Sequence, residues 1–221
     1  MKEESFSEWN EQMVEKYDIE SYYSESNPVI RYIEKRRVSL VLKLLSPQEN
    51  EKIFEVGCGA GHVLQGVSVG KLYGIDLSQR MLSLARKRLG DKVELKKCNA
   101  GKIDYPDDFF DKIICTEVLE HTLDPIAVLR EIKRVARAGG TVVLSIPNEA
   151  LIDRLKQIFM KAGVFKFLFK NIPEKNEWHL HSFSLPVLRS MTRGLLEELE
   201  VKAIPNRLVP IRYVGEYKVL K

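Results

Sequence analysis

The chain has 221 residues, 44% hydrophobic and 30% charged, which suffices for one α/β domain with a full core. A net charge of +4 is too small to argue for nucleic acid, and no apolar run approaches the roughly 20 residues that cross a bilayer. Three well-separated cysteines, Cys58, Cys98 and Cys115, speak against a disulfide framework and suit a reducing compartment, so a soluble cytoplasmic protein is expected.

The start, MKEESFSEWNEQ, is acidic and polar, unlike a signal peptide. Residues 6–45 read as helical. In PVIRYIEKRRVSLVLKLL the apolar Val29, Ile33, Leu40 and Leu44 fall on one helical face. Pro28 fits the first turn, and Ser46-Pro47 ends the run. Five short apolar runs follow: KIFEV (52–56), KLYGI (71–75), KVELK (92–96), DKIIC (111–115) and TVVLSI (141–146). Between them, Ser78 can cap a helix that Gly90 ends, and Asp124-Pro125 opens IAVLREIKRVAR before Gly139-Gly140. Strands alternating with helices at this spacing predict a parallel sheet covered on both faces.

Beyond the fifth strand the pattern changes. Residues 150–170 form an apolar and basic helical stretch, EKNEWHLHSF follows, and a helix starts at Leu185. The tail offers strands near 199–204 and 212–220. A sheet that ends in an antiparallel C-terminal strand pair is therefore expected.

KIFEVGCGAGH places Gly57, Gly59 and Gly61 directly behind the first strand, where the backbone must turn with positive φ or let a ligand approach closely. His62 stands where a dinucleotide fingerprint needs its third glycine. Asp76 ends the second strand 19 residues after Gly57, where a carboxylate can accept the hydroxyls of a ribose. Together, E-V-G-C-G-A-G, Y-G-I-D-L-S, C-N-A and D-D-F-F-D-K-I-I-C-T-E-V-L-E-H resemble class I S-adenosylmethionine-dependent methyltransferases. The likeness is greatest to the group that includes the ubiquinone and menaquinone biosynthesis enzymes. It covers about residues 50–150 in register.

That resemblance implies a Rossmann-like sheet of seven strands with helices on both faces, in one methyltransferase domain over 1–221. Its expected parts are an N-terminal helical cap (1–48), a cofactor-binding core (49–148), a helical substrate insertion (149–198) and a strand pair (199–221). The implied cofactor is S-adenosylmethionine, with S-adenosylhomocysteine as product. By position, Gly57, Cys58 and Gly59 would approach its methionine moiety and Glu55 its amino group. Asp76 would take the ribose, and Leu77, Asn99 and Ala100 would meet the adenine. Thr116 and Glu117 would line the cleft. The family usually has Asp where this chain has Asn99, which accepts a hydrogen bond but brings no charge. The helix after Gly61 is short and holds Gly66 and Gly70, so it is expected to form loosely.

TEVLEH leaves the fourth strand where substrates meet the cofactor. Three readings stand side by side. Glu117 lines the cleft while Glu120 and His121 shape a turn; or His121 is a general base, with Glu117 and His181 as further catalytic candidates; or Glu117, Glu120 and His121 hold a metal, with a fourth ligand from His179 or His181. In the last, Glu117 and His121 would share a face of a helical turn. E-x-x-E-H resembles the metal pattern of small-RNA 2′-O-methyltransferases and of some ubiquinone O-methyltransferases, although the first reading holds no metal. Tyr17, Tyr22 and Tyr23 offer a lid, and Trp178, His179 and His181 could face the cleft. Helix 150–170 could meet an anionic membrane or a lipophilic, acidic substrate. The expected function is methyl transfer to a small molecule, preferably at oxygen. The alternatives are a metal-dependent RNA 2′-O-methyltransferase and a catalytically silent cofactor-binding partner protein. Nucleic acid is the secondary choice, because the basic residues lack interleaved aromatics.

Overall fold

A computed structural model of the chain describes residues 3–17, 28–163 and 177–221. Two N-terminal helices, α1 (Glu3–Lys16) and α2 (Pro28–Leu45), precede the sheet. Strands β1 (Lys52–Val56), β2 (Lys71–Asp76), β3 (Val93–Lys97) and β4 (Phe110–Thr116) follow, with α3 (Gln79–Leu89) between β2 and β3. Then come α4 (Pro125–Val135), β5 (Ala136–Pro147), α5 (Glu149–Lys161), α6 (Leu185–Thr192), β6 (Leu196–Pro205) and β7 (Pro210–Val219).

The seven strands are ordered β3-β2-β1-β4-β5-β7-β6. Pairing is parallel from β3 through β5, and β7 runs antiparallel to both β5 and β6. The order reverses between β1 and β4, which opens a crevice at the carboxyl ends of these two strands. Alternation along each strand sends side chains to two separate cores. Phe54, Val56, Ile113, Cys115, Val142 and Leu144 pack with α4 and α6, while Ile53, Ile114 and Val143 pack with α2. Helix α3 covers Cys58, Leu64 and Val93.

The local signals work as their chemistry requires. Ser78 Oγ accepts the Met81 N–H at 3.1 Å, and Asp124 Oδ1 accepts from Ile126 and Ala127, with Pro125 behind it. Between Gly61 and Lys71 only the single turn Leu64–Gly66 is helical. Two local expectations shift. The buried face of α2 is Ile30, Glu34, Arg37, Val41, Leu44 and Leu45, so Val29 points to solvent and two charges lie inside. Gly139 and Gly140 sit within β5, where the β4 ladder slips between Phe110 and Lys112, instead of in a loop before it. Tyr22, Tyr23 and residues 164–170 lie outside the described residues.

Phe110 is fully buried, stacked on Phe54 at 4.2 Å and edge-on to Tyr73, Tyr105 and Phe109. Phe110→Ala should cost roughly 3–5 kcal/mol. Urea unfolding should show this as a lower midpoint at unchanged slope.

Candidate active site

The carboxyl ends of β1, β2, β4 and β5, together with α1, α2 and α5, enclose one cavity of about 1370 Å³. Its lining includes every expected cofactor residue: Glu55, Gly57, Cys58, Gly59, Asp76, Leu77, Asn99, Ala100, Thr116 and Glu117. Gly57 has φ 67°, and a Cβ there would lie 2.4 Å from Cγ2 of Val118. The glycine is thus needed for packing against the exit of β4. Gly59, at φ 51°, has nothing within 4 Å of an added Cβ; it faces open space. Its N–H donates to Asp76 Oδ2 at 2.8 Å, and Ser78 N–H donates to Oδ1 at 2.8 Å. Burial raises the Asp76 carboxyl above its ordinary value despite these bonds. Asn99 Oδ1 accepts the Gly101 N–H at 2.9 Å, which leaves it one lone pair. Glu55 is buried beneath the turn with no partner for Oε2 among the described residues, and desolvation pushes its carboxyl to about 8.

Beyond β4 the chain turns sharply. Glu117 has φ 56°, a left-handed conformation that costs a non-glycine residue energy and persists only where its surroundings enforce it. Its N–H continues the ladder to the Ser145 carbonyl at 3.1 Å, and its carboxylate accepts from Ser145 Oγ at 2.7 Å. The same carboxylate pairs with Arg212 of β7. Arg212 reaches back to Glu34 at 2.7 Å, and Glu34 holds Arg37 at 3.0 Å. Burial alone would raise the Glu34 carboxyl, but Arg212 and Arg37 outweigh it and hold it below the ordinary value.

Only Leu119–His121 is helical, a single turn. Glu117 therefore does not share a face with His121, and the expected four-residue ligand set is not assembled. Glu120, His121 and His179 do converge, with ligand atoms within 4.8 Å of one another, while Glu117 turns away to Arg212 and Ser145. Both Glu120 carboxylate oxygens are buried without a partner among the described residues, and desolvation pushes the group to about 8. His121 Nδ1 lies 3.3 Å from the Trp178 carbonyl, and its ring packs 4.6 Å from Trp178 and 4.7 Å from His179. Burial lowers its pKa to about 3, so the imidazole is neutral. His179 Nδ1 pairs with Glu149, which lowers the Glu149 carboxyl against the effect of its burial. His181 lines the cavity with a buried Nε2 that has no partner among the described residues. Tyr17 closes the wall, stacked on Trp178 at 5.9 Å.

Sequence reasoning missed Glu34, Arg37, Glu149 and Arg212. Glu34 and Arg37 were visible as charges three apart beside the apolar stripe of α2. Arg212 carries no local signal.

Residues 54–144 match the family model described as a methyltransferase domain. The chain is thus similar to methyltransferases over this stretch, which is less than half of its length. The demethylmenaquinone methyltransferase of Halalkalibacterium halodurans is 32% identical over 127 residues, 53% of this chain and 52% of that protein. The ubiquinone biosynthesis O-methyltransferase of Dechloromonas aromatica is 34% identical over 105 residues, 44% of this chain and 45% of that protein. The chain thus spans about half the length of these curated relatives. The N-methyltransferase NodS of Bradyrhizobium japonicum, crystallised with S-adenosyl-L-homocysteine, shares the fold. Its TM-score is 0.65 at 17% identity, over 88% of this chain and 89% of that one.

Removing one member of the buried charge chain strands the others. Arg212→Gln should cost roughly 3 kcal/mol near neutral pH. The folded Glu34 carboxyl lies below its unfolded value, so its stabilisation is present above the unfolded pKa and lost as pH falls through the folded one. Denaturant titrations of both proteins should therefore converge in acid.

Proposed function

We propose that this protein transfers the methyl group of S-adenosylmethionine to an oxygen of a small-molecule acceptor. One observation carries the reading. A single cavity joins the glycine turn, Glu55 and Asp76 at one end to Glu120, His121, His179 and His181 at the other. The residues fit the cofactor. Gly59 faces open space, and the buried Glu55 Oε2, without a partner among the described residues, suits an ammonium group. When bound, the cofactor supplies a methyl carbon already activated by its sulfonium.

The protein's part is alignment, exclusion of water and proton removal. Glu55 would hold the amino group, and Asp76, fixed by Gly59 and Ser78, would take the ribose hydroxyls. Leu77, Asn99 and Ala100 would meet the adenine, with Cys58 beside the methionine moiety and Thr116 lining the cleft. At the acceptor end, His121 donates its Nδ1–H to the Trp178 carbonyl, which leaves the Nε2 lone pair for the acceptor's hydroxyl proton. Burial makes the imidazolium a poor resting place for that proton. The adjacent His179–Glu149 pair takes it up. His181 Nε2 orients the acceptor oxygen. Glu117, neutralised by Arg212, shapes the wall.

A second reading is favoured by the convergence of Glu120, His121 and His179. A divalent cation there would polarise the acceptor oxygen, whether of a metabolite or of an RNA ribose. Labelled methyl transfer to a metabolite extract separates the enzyme from a silent binder. Persistence of that transfer in chelator removes the metal.

Two outcomes are expected from calorimetry with S-adenosylhomocysteine. Asp76→Ala should weaken binding roughly 10- to 100-fold. At neutral pH the Glu55 carboxyl is mostly protonated in the empty site, and an arriving ammonium favours its charged form. Binding should therefore release a proton, seen as buffer-dependent enthalpy, and Glu55→Gln should abolish that release. No binding by the unaltered protein would sink the whole reading.

A further inference from the structure

The mouth of the cavity is rimmed by apolar side chains that the fold holds out in solvent. Val29 and Tyr32 at the start of α2 are more than half exposed, and Met160 of α5 and Val209 are exposed as well. Val29, Met160 and Val209 also line the cavity, so they mark its edge. At the tip of the β6–β7 turn, Leu208 is 92% exposed. This turn is well built. Asn206 Oδ1 accepts the N–H groups of Leu208 at 2.9 Å and Val209 at 3.0 Å, an Asx turn that fixes both residues outward.

On the α2 side of the mouth the exposed charge is of one sign, whereas α1, which also lines the cavity, exposes Glu4, Glu8 and Glu15. The exposed positions of α2 carry Arg31, Lys35, Arg36 and Lys43 and no acid. Arg36 follows Tyr32 by one turn on the same face, and Arg207 immediately precedes Leu208. On α5, Lys156 lies at the cavity edge, with Asp153 the opposing charge. Apolar tips among cations match the interface of an anionic bilayer, where the tips enter the acyl boundary and the cations meet headgroups. The rim comes from three separate elements around an opening. A folded protein seated on it would plug the entrance, whereas a fluid surface leaves it accessible.

We propose that this rim docks on an anionic phospholipid bilayer, with Leu208 and Val209 inserted, so that the cavity opens toward the membrane. A lipophilic acceptor would then enter directly from the lipid. The acceptor class rests on the methyltransferase reading; the docking does not.

Vesicle flotation tests it, using phosphatidylcholine alone and phosphatidylcholine mixed with phosphatidylglycerol in equal parts. The protein should float with the mixed vesicles, less so in high salt, and stay behind with phosphatidylcholine. Leu208→Asp, at a solvent-exposed position that leaves the core intact, should lower binding about tenfold. A paired Arg36→Glu, Arg207→Glu variant should lower it further. Binding of S-adenosylhomocysteine should be unchanged in both, which separates failed docking from a failed cofactor site. Absence of binding to the mixed vesicles, or binding that Leu208→Asp leaves intact, would overturn the proposal. So would a wild-type dimer in solution that Leu208→Asp converts to monomer, since the rim would then be a contact between copies.

Discussion

Four charges taken out of water together hold the working end of this sheet in shape. Arg37, Glu34, Arg212 and Glu117 form one chain from α2 through β7 to the exit of β4. Each alone would be expensive to bury, and each makes its neighbour tolerable. The chain joins elements that are distant in sequence, so the cavity wall they form is closed by tertiary contacts alone. It also holds the left-handed Glu117 at the point where β4 ends.

The two halves of the site are coupled by packing as much as by charge. Val118 follows Glu117 directly and presses against Gly57, leaving no room for even a methyl group. The glycine turn behind β1 and the exit loop of β4 are therefore parts of one contact. Gly57 and Gly59 differ in consequence: the first makes room for Val118, while the second borders open space in the cavity. The likeness to known methyltransferases, which covers residues 54–144, contains both sides of that contact.

What was legible in the sequence is what short-range chemistry decides. Ser78, Asp124, Pro125 and the glycines behind β1 act through neighbours a few residues away, and each lies where its spacing put it. Asp76 could be placed because a strand of known length carries it to the crevice. Glu117 could not be placed from E-V-L-E-H, since the spacing fits a helical turn and its partners, Ser145 on β5 and Arg212 nearly a hundred residues later, lie far away in sequence. The phase of α2 was misjudged for a related reason. With charges on both sides of its apolar stripe, only the partners of Glu34 and Arg37 decide which side faces inward. Three groups of E-x-x-E-H and its distant histidine do meet, but through the carbonyl of Trp178 and the carboxylate of Glu149, neither of which the motif contains.

Tyr17 rests on the ring of Trp178, while the carbonyl of Trp178 faces His121. The residue that completes the roof of the chamber is thus also the one that selects which imidazole nitrogen carries hydrogen. Peeling α1 away would loosen both at once. The stacking of Tyr17 and the tautomer of His121 therefore share one tryptophan, so a change in either is felt by the other.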